Sequence, residues 1–133
     1  MYQSILVPVA YEPGFDIARE LAVARVIATP DASVTLLHVM EKTPFFAVNY
    51  MPEGWRSDLI AAIRADLADR AVGLPHPVIA VVEGEAGPAI VDHAMAAGSD
   101  CIVLASHRTN RLLIGSTATW VSRHAPCAVH LIR

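Results

Sequence analysis

Apolar and polar residues follow one another along this chain in two rhythms. Short runs rich in β-branched residues occur at positions 4–9, 33–39, 77–82, 101–105 and 128–132, and these read as strands. Within the fourth, Ile102-Val103-Leu104-Ala105 is apolar without alternation, the pattern of a central parallel strand covered on both faces. The intervening segments have helical spacing. Residues 15–28 place Ala18, Leu21, Ala22 and Val26 on one face with Asp16, Arg19 and Glu20 away from it, and Thr29-Pro30-Asp31 supplies a stop. Residues 55–71 set Leu59, Ile63 and Leu67 four apart, with Arg56, Asp58, Asp66, Asp69 and Arg70 facing out. A third helix is predicted from Gly87-Pro88 to Gly98, following the tendency of Pro to enter and Gly to end helices. The fourth begins at Gly115-Ser116, where the Ser hydroxyl can cap free N–H groups, and stops before Pro126.

The order βαβαβαβαβ predicts a mainly parallel sheet with right-handed crossovers and helices on both faces. Such a sheet takes ligands beyond the carboxyl ends of its strands, where strand order reverses. Two segments fall at such ends: Ala10-Tyr11-Glu12-Pro13-Gly14 after the first strand, and the polar stretch 106–114 after the fourth.

Composition narrows the function classes. At 133 residues the size predicts one domain, spanning 1–133, able to bury a core without metals or disulfides. The chain is 54% hydrophobic and 17% charged, which excludes disorder and coiled coil. With 10 Lys and Arg against 13 Asp and Glu, the net charge of -3 gives no basic footprint, so nucleic acid is not an expected partner. No apolar run reaches the roughly 18 residues of a spanning helix, so no membrane association is expected. The start of the sequence makes a poor signal peptide because Pro8 breaks its apolar stretch and no Lys or Arg precedes it, and a cytoplasmic location is expected. Cys101 and Cys127 form no CxxC pattern and read as small hydrophobes.

The densest polar chemistry lies in Ser106-His107-Arg108-Thr109-Asn110-Arg111, leading to Gly115-Ser116-Thr117. A helix N-terminus with a glycine beside it offers free N–H groups to an anion such as a phosphate, and Arg108 or Arg111 can add charge-assisted contacts. The other reading is a solvated loop ending in an ordinary helix cap. No GxxxxGK[ST], GxGxxG or GxSxG motif is present, and no paired carboxylates suggest acid–base hydrolysis. His124, Cys127 and His130 have three-residue spacing, but they cross from a helix through Pro126 into a strand, which disfavours a metal site. The long connection 41–54 carries Phe45, Phe46 and Tyr50, with Trp55 just beyond it; with Tyr11, they read either as a ligand flap or dimer contact, or as rings packed on the domain's own surface.

These residues together resemble the universal stress protein family over essentially the whole chain. The resemblance rests on Ile5-Leu6-Val7-Pro8-Val9, on Leu36-Leu37-His38-Val39, and above all on Gly115-Ser116 followed by Arg123-His124-Ala125-Pro126-Cys127 and a short apolar strand. Ala105-Ser106-His107-Arg108 looks like the branch in which the first loop glycine is replaced. The resemblance implies a Rossmann-like open α/β sandwich with a five-stranded parallel sheet in order 3-2-1-4-5. It also implies homodimers paired through the last strand and, for one large subset, ATP between the ends of strands one and four, with Mg²⁺ as a possible companion. Carried over by position, Pro8, Val9 and Ala10 border the adenine and ribose, Val39 contacts the base, and Ala105, His107 and Arg108 line the phosphate path. Gly115, Ser116 and Thr117 hold phosphates. The family's acidic residue after the first strand is Ala10 here, its first two loop glycines are Ala105 and Arg108, and six residues rather than the usual nine separate Arg108 from Gly115.

The leading expectation is therefore a cytoplasmic stress-response protein that binds an adenine nucleotide, a binding module rather than an enzyme. The alternative is a nucleotide-free homodimeric interaction protein of the same fold with a degenerate loop. Slow hydrolysis or self-phosphorylation at Ser116 or Thr117 is a third reading that lacks an activating partner.

Overall fold

The computed structural model describes residues 1–12, 15–106 and 114–133. His107 and Arg108, assigned above to a phosphate path, lie outside the described residues, as do 109–113. The elements run β1 (Tyr2–Pro8), α1 (Ala18–Ile27), β2 (Ala28–Met40), α2 (Phe45–Val48), α3 (Trp55–Arg70), β3 (Pro77–Glu83), α4 (Ala86–Ala97), β4 (Cys101–Ala105), α5 (Ser116–His124) and β5 (Ala128–Ile132). The five strands form one parallel sheet in the order β3-β2-β1-β4-β5, as expected.

Strand pleating sends successive side chains to opposite faces and so builds two cores. Ile5, Val7, Leu36 and Val103 meet Leu21 of α1 and Ile63 and Leu67 of α3 on one face. Leu6, Leu37, Ile102 and Leu104 meet Ile90 and Val91 of α4 and Val121 of α5 on the other. Asp100 ties β1 to the entry of β4: its carboxylate accepts the N–H groups of Gln3 and Ser4 at 2.9 and 3.0 Å, and its own N–H donates to the Ser4 carbonyl.

Several boundaries differ from the sequence reading for identifiable reasons. Helix α1 starts at Ala18 rather than at residue 15, because the Asp16 carboxylate accepts the Ala18 N–H at 2.9 Å and marks the helix entrance. Its buried stripe is Ile17, Glu20, Leu21 and Ala24, while Ala18, Ala22 and Val26 face outward. Larger apolar area at Ile17 and Leu21 outweighs the small alanines and turns the helix, carrying Glu20 inward to 4% exposure with its Oε2 unpartnered. The predicted stop at Thr29-Pro30-Asp31 instead belongs to β2, which starts directly after α1. Its pairing with β1 jumps from Tyr2–Ala28 to Ser4–Ser33, and this irregularity accommodates Pro30. On α3 the inward stripe is Ile60, Ile63 and Leu67, continuing to Ala71 and Leu74, so Leu59 is exposed.

Helix α4 ends as expected at Gly98, whose φ of 66° suits a residue without a Cβ. The Ser99 N–H donates to Ala94 O and the Gly98 N–H to Met95 O, closing the last turn. Helix α5 begins at Ser116, but Gly115 holds the cap position and no side chain caps the helix, so the Ser116 hydroxyl does not take the expected role.

Candidate functional site

At the carboxyl end of the sheet, β1 and β4 are neighbours from which the chain leaves in opposite directions, β2 lying beyond one and β5 beyond the other. A cavity of about 400 Å³ opens there. Pro8, Val9 and Ala10 line it from the end of β1, His38 and Val39 from β2, Ala105 from β4, and Thr117 from α5. A smaller recess of about 210 Å³ adjoins it, bounded by Ser106, Gly115, Ser116 and Thr117. Glu12, Ala105 and Thr117 belong to both, so the two compartments form one cleft from the strand ends to the first turn of α5.

The described residues carried over from the resemblance therefore come together. Pro8, Val9, Ala10, Val39 and Ala105 share the larger compartment, Gly115 and Ser116 the smaller, and Thr117 bridges them.

The recess at α5 is built by the backbone and near neighbours. Gly115 donates its N–H to Ser106 Oγ at 2.8 Å, so the serine after β4 fixes the helix entrance. Thr119 Oγ1 donates back to the Gly115 carbonyl at 3.0 Å. The N–H groups of the first turn beyond Gly115 have no acceptor within the helix, and the positive end of the helix dipole faces the recess. A glycine on α4 sets the spacing of the two helices: a Cβ on Gly87 would lie 2.7 Å from Trp120 Cγ and Cδ1. On the same side a wider groove of about 730 Å³ runs past Lys42, Gly87 and Trp120 and meets the cleft at Glu41, Ala86 and Thr117.

The opposite wall depends on side chains that the sequence reading did not assign. Glu12 reaches both compartments two residues after the Ala10 position, where the acidic side chain is missing. His38 Nδ1 lies 2.8 Å from the Val9 carbonyl, which only accepts, so that nitrogen carries the proton and ties β2 to the loop after β1. Tyr11 packs edge-on against both His38 and Phe15, with ring centroids 5.0 and 4.9 Å apart. Its hydroxyl donates to Asp66 Oδ2 on α3 at 2.6 Å, and Arg70 Nε donates to the same oxygen at 2.8 Å. Burial and the Asp66 carboxylate raise the Tyr11 phenol well above its ordinary range, while the hydrogen bonds from Arg70 and Tyr11 lower the Asp66 carboxyl. Sequence could have flagged Tyr11 and Glu12 only as members of the segment after β1; nothing in it paired Tyr11 with Asp66.

A sequence model of the universal stress protein family matches residues 1–133. The chain belongs to that family. Solved structures of universal stress proteins share its fold. UspA from Lactobacillus plantarum is 27% identical, with a TM-score of 0.72 over 99% of this chain and 98% of that one. A universal stress protein in complex with cAMP is 21% identical, with a TM-score of 0.70 over 99% and 97% of the two chains. A family protein from Arabidopsis thaliana with AMP bound is 16% identical, with a TM-score of 0.65 over 98% and 90%. No curated protein sequence matches the chain.

Other chemistry-bearing groups have structural occupations in this family member. Cys101 faces the α1/α3 core and Cys127 packs against the α4/α5 core, so the sheet lies between them. Burial, with Cys127 and Asp100 adding to it, pushes the Cys101 thiol up to about 11, and burial also raises Cys127. His124 stacks on Trp120 at 4.0 Å, its Nδ1 2.9 Å from the Trp120 carbonyl. Among the described residues no three His, Cys, Asp or Glu side chains cluster to hold a metal ion, and no helix is long and apolar enough to cross a membrane. The rings of Phe45, Phe46 and Tyr50 are exposed rather than packed on the surface, and the segment around α2 touches the groove beside the cleft through Glu41 and Lys42.

Proposed function

We propose that this chain is a stress-response regulatory protein of the cytoplasm that binds an adenine nucleotide, ATP in the first instance, and acts by occupancy rather than catalysis. The observation that carries this reading is the continuous cleft joining an apolar compartment at the strand ends to the N-terminus of α5 at Ala105 and Thr117. The larger compartment suits a flat base and ribose against Pro8, Val9, Ala10 and Val39. The recess suits phosphate at Gly115, Ser116 and Thr117, where amide N–H groups and two hydroxyls supply neutral donors. His107 and Arg108 complete the phosphate path in this reading on sequence position alone. Mg²⁺ would enter with the triphosphate as a counterion, and Glu12 is the carboxylate among the described residues that borders both compartments.

The AMP and cAMP in relatives' structures support an adenine site of this kind in the fold. Binding is supported by what the recess presents to an anion: the N–H groups of the first turn of α5 and the hydroxyls of Ser116 and Thr117. Strand β5 forms one edge of the sheet, and in this reading the homodimer pairs through it.

Calorimetric titration of nucleotide-stripped protein with ATP, with and without Mg²⁺, tests the reading. Saturable binding weakened by Gly115→Val supports it. Absence of binding by folded protein at millimolar ATP overturns it in favour of the nucleotide-free interaction protein, the reading that Ala10 in the acidic position favours.

A further inference from the structure

We propose that Asp66, on α3 and outside the lining of the cleft, is a positioning residue that sets the shape of the base compartment through Tyr11. This rests on the nucleotide reading above and assigns a new residue to that site. The loop after β1 carries Ala10, Tyr11 and Glu12 into the cleft, and these three belong to no strand or helix. What holds Tyr11 is a closed circuit of side chains. The Tyr11 hydroxyl donates to Asp66 Oδ2 at 2.6 Å. Arg70, one turn along α3, donates to the same oxygen and lays its guanidinium over the Phe15 ring, 4.6 Å from the centroid. Phe15 meets the edge of Tyr11, and Tyr11 meets the edge of His38, which is itself fixed to the Val9 carbonyl.

The circuit ties the phenol hydroxyl to α3 and leaves its ring as the wall beside His38. Without Asp66, the phenol can rotate between the wall position and solvent, and only the wall position matches the compartment as built. Apparent affinity is then the intrinsic affinity multiplied by the fraction of time spent in that position. Charge assistance makes the bond one of the stronger kinds, and the raised Tyr11 phenol keeps its proton throughout the neutral range.

The test is a double-mutant cycle read by ATP titration of the full chain, using Tyr11→Phe, Asp66→Ala and the double variant, with thermal melts in parallel. Tyr11→Phe removes one oxygen from a partly exposed ring and leaves the fold intact. Each single substitution is expected to weaken ATP binding by about five-fold, as it would if the unpinned ring held the wall position about one-fifth of the time. The double variant is expected to be no weaker than Asp66→Ala, because that substitution already removes the Tyr11 bond together with the one from Arg70. Asp66→Asn, whose amide oxygen still accepts, falls between wild type and Asp66→Ala. Wild-type affinity in Tyr11→Phe, or losses that multiply in the double variant, overturns the positioning role while leaving the nucleotide reading in place. A wild-type protein that binds no ATP overturns both.

Discussion

The wall of the cleft after β1 is held by side chains from distant parts of the chain, whereas the wall at α5 is held by backbone and near neighbours. Tyr11 and Asp66 are 55 residues apart, and their bond depends on α3 lying where Leu67 and Ile63 seat it. At the other wall, Ser106 meets Gly115 nine residues on, and Thr119 meets the carbonyl of Gly115 within one turn. A wall made of local backbone is reproduced wherever its short motif recurs. A wall made of long-range side chains depends on how the helix that carries them docks, here α3 on the sheet.

Removing the seat of α3 should separate the two walls most strongly. Leu67, on the inward face of α3, is fully buried, and Leu67→Ala is expected to cost about 2–5 kcal/mol, visible in chemical denaturation. The α3-dependent wall should loosen first, seen as a larger rise over wild type in amide exchange at Asp66 on α3 than at Val121 on α5. At the other wall, Gly87→Ala puts a methyl group against Trp120, with an expected loss of about 1–3 kcal/mol from overpacking. Its signature is a changed Trp120 fluorescence together with weaker phosphate binding. Unchanged stability and emission would show that α5 shifts without strain.

Acid should distinguish the walls more gently. The hydrogen bonds of Arg70 and Tyr11 lower the folded-state carboxyl of Asp66, so its contribution is present above the unfolded carboxylate range and is lost as pH falls through the folded value. Tyr11 ring signals should therefore shift in that acid window in wild type and not in Asp66→Asn. The smallest effect belongs to the cysteines. With Cys101 raised from 9.0 to about 11, its contribution is complete below pH 9 and declines towards pH 11. Alkylation of Cys101 at pH 8 should be slow in folded protein and fast in denaturant, with half-buried Cys127 less protected; equal rates at Cys101 would contradict its burial.

Much of the fold was legible because it is written in local pattern. The strands at 101–105 and 128–132 have the boundaries read from their apolar runs, and Gly98 ends α4 as its position suggested. The rotation of α1 was misread because counting apolar residues gave Ala18 and Ala22 the weight of Ile17 and Leu21. Strand pairing decided the treatment of Pro30, since its segment follows β2 through an irregularity in register that no local signal marks. At the site, Pro8, Val39 and Thr117 were reachable through strand-end logic and family resemblance. The Tyr11–Asp66 bond was not, because it depends on where α3 docks.

The most direct test of the central claim is an amide NMR map of the folded protein titrated with ATP. Shifts concentrated at Ala10, Val39, Ala105, Ser116 and Thr117, spanning both walls of the cleft, are the result predicted here. Shifts confined to the exposed segment around α2 or to β5, with those five amides unmoved, would contradict it.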